Sequence, residues 1–218
     1  MKILVVAPHP DDEVLGCGGT IAKYAQKGDQ VYLCIVTKAY TPEWSKKFIE
    51  GRTHEITKAN KILGVKKTFF LDFPTVKLDT ISQKELNRAI SNVIEQVHPD
   101  IAFIPHSGDL NRDHRLVFES SLVALRPLEH AVKKILTYET VSETEWGEPL
   151  GTFSPNYFVD ISETFDKKTD AMKAYKSELR VFPHPRSLHN IKALAKVRAG
   201  ACGVTMAEAF HLIRGVWQ

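Results

Sequence analysis

The stretch Ile3-Leu4-Val5-Val6-Ala7-Pro8-His9-Pro10-Asp11-Asp12-Glu13-Val14-Leu15-Gly16-Cys17-Gly18-Gly19 decides the fold. Its first five residues are an unbroken apolar run rich in β-branching, the pattern of a parallel strand covered on both faces. Helical spacing resumes at Thr20-Ile21-Ala22-Lys23-Tyr24-Ala25 and predicts a helix from about Gly18 to Lys27. Pro8 to Glu13 therefore lie at the carboxyl end of a strand, where open α/β sheets bind their ligands.

The residue types in that cluster point to a metal. His9 and Asp12, three apart across a proline-stiffened turn, are good ligands for one divalent ion, and Asp11 between them is left free to take a proton from water held on it. The plainer reading keeps Asp11, Asp12 and Glu13 as capping and first-turn acids favoured by the helix dipole, with His9 an ordinary loop residue.

Outward from this stretch, strands and helices alternate. Val31 to Val36 reads as a second buried strand, Lys46 to Leu63 as a helix closed by Gly64, and Thr68 to Leu71 as a short third strand with Asp72-Phe73-Pro74 as its loop. Ser82 with Glu85 forms a capping box opening a helix to Val97, whose Leu86, Ile90, Val93, Ile94 and Val97 share one face. Ile101 to Ile104 is the fourth strand, followed by a polar loop and a helix through Leu125. Lys133 to Thr140 is the fifth strand, and Tyr157 to Ile161 an edge strand in a loop-rich stretch expected to wall the pocket. Helices over Phe165 to Leu179 and Leu188 to Arg198 complete a single α/β domain over residues 1–218: a Rossmann-like, mostly parallel sheet with helices on both faces. In such a sheet strands one and four flank the switch point, so the loops after them face each other.

Composition narrows the function. A chain of 218 residues with 43% hydrophobic content buries one substantial core. A net charge of +3 without a basic block argues against nucleic acid, although a weakly basic face suits an anionic substrate. Cys17, Cys34 and Cys202 lack zinc-ribbon or CxxC spacing and are expected as free, largely buried thiols. No apolar run has the length of an export signal or a membrane span, so a cytoplasmic location is expected; a homo-oligomer is compatible with all of this.

Pro8-His9-Pro10-Asp11-Asp12-Glu13 with Gly18-Gly19-Thr20 resembles the amino-terminal signature of the PIG-L/LmbE family of metal-dependent N-acetylglucosaminyl deacetylases. Asp109-Leu110-Asn111-Arg112-Asp113-His114-Arg115 and Ala207-Glu208-Ala209-Phe210 carry the similarity to the rest of the chain. The resemblance implies hydrolysis of the N-acetyl group of an N-acetylglucosamine-type sugar conjugate. Its metal would be zinc, with Fe2+ or another divalent ion as alternatives, held by His9, Asp12 and His114, and Asp11 would be the base. Asp113 would orient a ligand or the substrate.

Arg52 is the position that in the family contacts substrate; a solvated helix face is the alternative. Many members have histidine where this chain has Asn111, in a role at the tetrahedral intermediate. Asn111 would donate a hydrogen bond instead, or the role passes to His106, Arg112 or His184. The rigid loop Pro183-His184-Pro185-Arg186 resembles one that reaches the site in members acting on sugar conjugates, and otherwise links two helices. Trp146 either stacks on a sugar or anchors a loop, Asp72 is a pocket residue or a turn former, and Glu208 edges the site or caps a helix. His54, His98, His130, His189 and His211 are expected to be structural or exposed.

Rival functions are a metal hydrolase of another amide or ester, a non-catalytic sugar-binding protein of the same fold, and a nucleotide-binding module. Against the last, Gly16-Cys17-Gly18-Gly19 lacks G-x-G-x-x-G spacing and acids stand where phosphates would approach.

Overall fold

A computed structural model of the chain describes residues 1–127 and 132–217, so His130 lies outside the described residues. Seven strands form one sheet in the order β3-β2-β1-β4-β5-β7-β6. They are β1 (Lys2–Ala7), β2 (Gln30–Lys38), β3 (Lys67–Pro74), β4 (Ile101–Pro105), β5 (Lys134–Tyr138), β6 (Tyr157–Asp160) and β7 (Ala207–Gly215). The first five run parallel, β7 runs antiparallel between β5 and β6, and β3 and β6 are the edge strands. The expected mostly parallel α/β sheet is what the chain forms, with β1 and β4 adjacent.

The alternation of β1 explains its unbroken apolar run. Ile3, Val5 and Ala7 enter a core against helices α1 (Asp12–Gln26), α2 (Lys46–Leu63), α5 (Phe165–Ala174) and α6 (Leu188–Gly200). Leu4 and Val6 enter a second core on the opposite face, against α3 (Gln83–Val97) and α4 (Arg112–Ala124). With both faces covered, no position from Ile3 to Ala7 carries a polar residue.

Four local expectations need correction. The first helix begins at Asp12, not Gly18, so its glycines are helical. A Cβ on Gly16 would collide with the Tyr138 ring and one on Gly19 would stand 2.7 Å from Ile161, so close helix–sheet packing overrides the low helix propensity of glycine. The third strand runs through Asp72 to Pro74; an extra residue opposite Ile35–Thr37 makes a bulge, with Asp72 at φ 55°. α5 ends at Ala174 instead of Leu179, because Tyr175 turns to donate its hydroxyl to Glu13 (2.6 Å) and Ser177 donates its own to Glu55 (2.7 Å).

Finally, residues 147–161 do not wall the cavity described below. They pack behind the loop after β4, so closely that a Cβ on Gly147 would collide with the Gly108 carbonyl. Trp146 is 68% exposed and does not line the cavity.

Candidate active site

The carboxyl ends of β1 and β4 each feed a helix that starts with a ligand-type side chain. After β1, the Thr37 amide and hydroxyl both donate to the Pro8 carbonyl (3.0 and 2.8 Å), which pins the loop carrying His9. Asp11 then adopts φ 109°, a left-handed conformation that costs an L-residue about 1 kcal/mol or more. That turn sends Asp11 one way and Asp12, at the start of α1, the other. After β4, the Asn111 side chain caps α4 by accepting from the Asp113 amide (3.0 Å), and His114 stands in the first turn.

The two loops converge. His9 Nδ1, Asp12 Oδ2 and His114 Nε2 lie 3.2 to 3.4 Å from one another. Donor atoms about 2.0–2.1 Å from a tetrahedral centre are separated by about 3.3 Å, so this triangle fits a zinc-sized ion with a fourth position left over. Each imidazole has its other nitrogen on a carboxylate: His9 Nε2 on Asp113 Oδ2 (3.0 Å) and His114 Nδ1 on Asp109 Oδ2 (2.8 Å). Such partners fix the ring orientation and raise ligand basicity. Asp113 is itself held by the amides of Val76 and Leu78, and Asp109 by the Thr144 hydroxyl.

The electrostatics agree with a cation site. Burial by itself would lower the His9 imidazole, but its hydrogen bonds to Asp113 and Asp12 outweigh that and raise it to about 9. His114 is likewise held well above its ordinary value, by Asp12 and Asp109 against burial. Burial would raise Asp12, yet the two histidines pull it below the carboxylate range. A divalent ion between the two rings would supply the positive charge that the surrounding carboxylates Asp12, Asp109 and Asp113 favour.

Asp11 is different. Its carboxyl is 3% exposed and Oδ2 has no hydrogen-bond partner among the described residues; the nearest cation is Arg186, 3.5 Å away. Burial and the neighbouring Asp12 push it well above the usual range, while Arg52 and Arg186 pull the other way. Its backbone is held by Glu13 Oε2, which accepts the Asp11 amide (3.0 Å). Burial raises the Glu13 carboxyl to about 7, against the lowering effect of the Tyr175 hydroxyl.

His9, Asp11 and Asp12 line one cavity of about 440 Å³, together with Trp44, Phe48, Phe70, Asn111, Glu143, Glu178, Arg52 and Arg186. Arg52 donates to the Pro10 carbonyl (2.7 Å) and Ser177 Oγ (3.0 Å) and pairs with Glu178 (3.2 Å), so its donors hold the Asp11 loop. Arg186 pairs with Glu178 (2.5 Å) and donates to Ser142 Oγ (3.0 Å).

His106, Arg112 and His184 are not brought to the cavity. His106 faces the Gly151 carbonyl (3.0 Å) and meets the Phe153 ring edge-on, Arg112 is exposed on α4, and exposed His184 accepts from the Arg186 amide of its own turn. Glu208 neither edges the site nor caps a helix terminus. It lies buried on β7, paired with Lys168 (2.6 Å) and accepting from the amides of Gly19 and Thr20. Cys17 and Cys34 are buried free thiols, raised by burial, whereas Cys202 is exposed.

Asp109 and Glu143 had no role from the sequence, and Glu13 only that of a first-turn acid. Asp109 was legible as one more acid in the loop of His114; Glu143, one acid in Ser142-Glu143-Thr144-Glu145, carried no signal.

The PIG-L family, described as GlcNAc-PI de-N-acetylase, matches residues 4–125. YaiS of Escherichia coli strain K12, an uncharacterized deacetylase, is 34% identical over 184 residues, covering 80% of this chain and 90% of that protein. The diacetylchitobiose deacetylase of Thermococcus kodakarensis is 32% identical over 193 residues, covering 81% of this chain and 70% of that protein. Among solved structures, the conserved protein TT1542 of Thermus thermophilus aligns with a TM-score of 0.80 at 26% identity, over 99% of this chain and 96% of that one. The chain thus belongs to the PIG-L family, and the matched half, β1 through α4, is the part that gathers His9, Asp12 and His114.

Proposed function

We propose that the protein is a metal-dependent N-deacetylase, hydrolysing the N-acetyl group of an N-acetylglucosamine-type sugar conjugate. The observation that carries this reading is the triangle of His9, Asp12 and His114 beside the buried carboxyl of Asp11, whose Oδ2 accepts no hydrogen bond among the described residues. The names of the deacetylase relatives support the acyl group and the sugar.

His9 Nδ1, Asp12 Oδ2 and His114 Nε2 would hold the ion, zinc by donor set and spacing. When bound, such an ion polarises the acetyl carbonyl and lowers the pKa of a coordinated water. Asp11 takes the proton of the attacking water as its oxygen bonds to the acetyl carbon. Asp11 then returns that proton to the nitrogen as the C–N bond breaks, releasing acetate and the amine. Burial suits Asp11 to both directions, because a raised carboxyl binds a proton more readily than an exposed one. Asn111 spends Oδ1 on the Asp113 amide, which leaves its NH₂ as a donor for the developing oxyanion. Arg52 positions the Asp11 loop through the Pro10 carbonyl.

The test is metal analysis with an acetate-release assay on N-acetylated sugars, for wild type and Asp11→Asn. About one ion per chain in both proteins and a kcat about 10³-fold lower in the variant are expected. Turnover surviving in Asp11→Asn removes it from the base role; wild type that takes up no metal sinks the mechanism.

A further inference from the structure

The cavity's charged groups are unevenly satisfied. Both arginines on its wall are already engaged, sharing Glu178 at 3.2 Å (Arg52) and 2.5 Å (Arg186), while the more than half-exposed Lys38 stands 3.4 Å from Asp72. Arg52 and Arg186 also spend donors on the Pro10 carbonyl, Ser177 and Ser142. The spare groups are acceptors. Glu143 lines the cavity, and its carboxylate meets no hydrogen-bond donor among the described residues. The charges of His114, Asp12 and Arg186 all act on it, so it stands near the metal-type cluster without belonging to it.

The same cavity is also lined by aromatic rings. Trp44, braced edge-on by Tyr40 with ring centroids 5.4 Å apart, joins Phe48 and the half-exposed Phe70. Aromatic rings and an unsatisfied carboxylate in one cavity match a pyranose ring, which presents C–H groups on its face and hydroxyl donors at its edge. It does not match a phosphate or carboxylate placed beside Glu143, which would repel it while both arginines are engaged with Glu178.

We infer that the site selects an uncharged or amine-bearing glycoside, with Glu143 accepting from its donors, and rejects conjugates anionic beside the reacting sugar. This rests on the deacetylase reading and narrows it.

Three size-matched disaccharides test it: N-acetylglucosamine linked to N-acetylglucosamine, to glucosamine and to glucuronic acid. With metal-loaded wild type, kcat/KM for the neutral and amine-bearing compounds should exceed that for the glucuronide at least tenfold. In Glu143→Gln the preference should shrink severalfold, mainly through KM. A glucuronide cleaved as well as the others, or a preference untouched by Glu143→Gln, overturns the inference while leaving deacetylation standing.

If none is cleaved, the deacetylase reading fails separately. Calorimetric titration of Asp11→Asn with the same compounds then decides: tighter binding of the neutral and amine-bearing sugars supports the selection, and tighter or equal binding of the glucuronide, or binding of none, overturns it.

Discussion

Helix α1 buries carboxylates at two places, and the two are built oppositely. Midway along it, Glu208 accepts the Gly19 amide (2.9 Å), the Thr20 amide (2.7 Å) and Lys168 Nζ (2.6 Å), while Lys168 also donates to the Leu15 carbonyl (2.7 Å). At its start, Asp11 leaves Oδ2 bare, sits in left-handed backbone, and crowds against Asp12. A buried charge with its partners in place fastens β7 and α5 to the helix. One without them is held in place by its neighbours rather than by its own bonds, which is the condition expected of a reacting group.

Breaking the satisfied pair should give the largest stability loss. Lys168→Met leaves Glu208 buried and unpaired, at a cost of about 3–5 kcal/mol in urea unfolding. Metal stoichiometry in the folded fraction should be unchanged; a loss below about 1 kcal/mol would show that the pair does not fasten the helix. At the opposite region, Asp109→Asn removes the carboxylate behind His114 and should weaken metal affinity about 10–100-fold, read by competition with a chelator. Unchanged affinity would mean that Asp109 does not set the basicity of His114.

The smallest effect is expected at Arg198, paired with Glu139 at 2.6 Å beside the same small cavity as Lys168 and Glu208 but a quarter exposed. Arg198→Met should cost no more than about 1 kcal/mol, because water screens the pair. A penalty near that of Lys168→Met would erase the distinction between buried and half-exposed charge in this region.

How much was legible in the chain varies with the range of the cause. Helices α2 and α3 were readable nearly to the residue, since Ser45 and Ser82 cap them, Gly64 ends α2 in left-handed backbone, and their buried faces follow helical spacing. The start of α1 was not, because Gly16 and Gly19 suit a helix only when Tyr138 and Ile161 leave no room for a side chain. The end of α5 was set by Glu13, 162 residues from Tyr175 in sequence.

The same division holds at the site. Residue types and strand ends placed His9, Asp12 and His114 on facing loops, because a doubly wound sheet brings β1 and β4 together. That His106, Arg112 and His184 stay off the cavity, and that Arg52 and Arg186 spend their donors on protein partners, depends on side-chain direction and on packing across distant segments. By itself the sequence determined the sheet, through local periodicity and strand order, and it named the residues able to hold a metal through residue type and family resemblance. Tertiary structure alone decided which charges are satisfied and which remain free, because that is a count of partners in space.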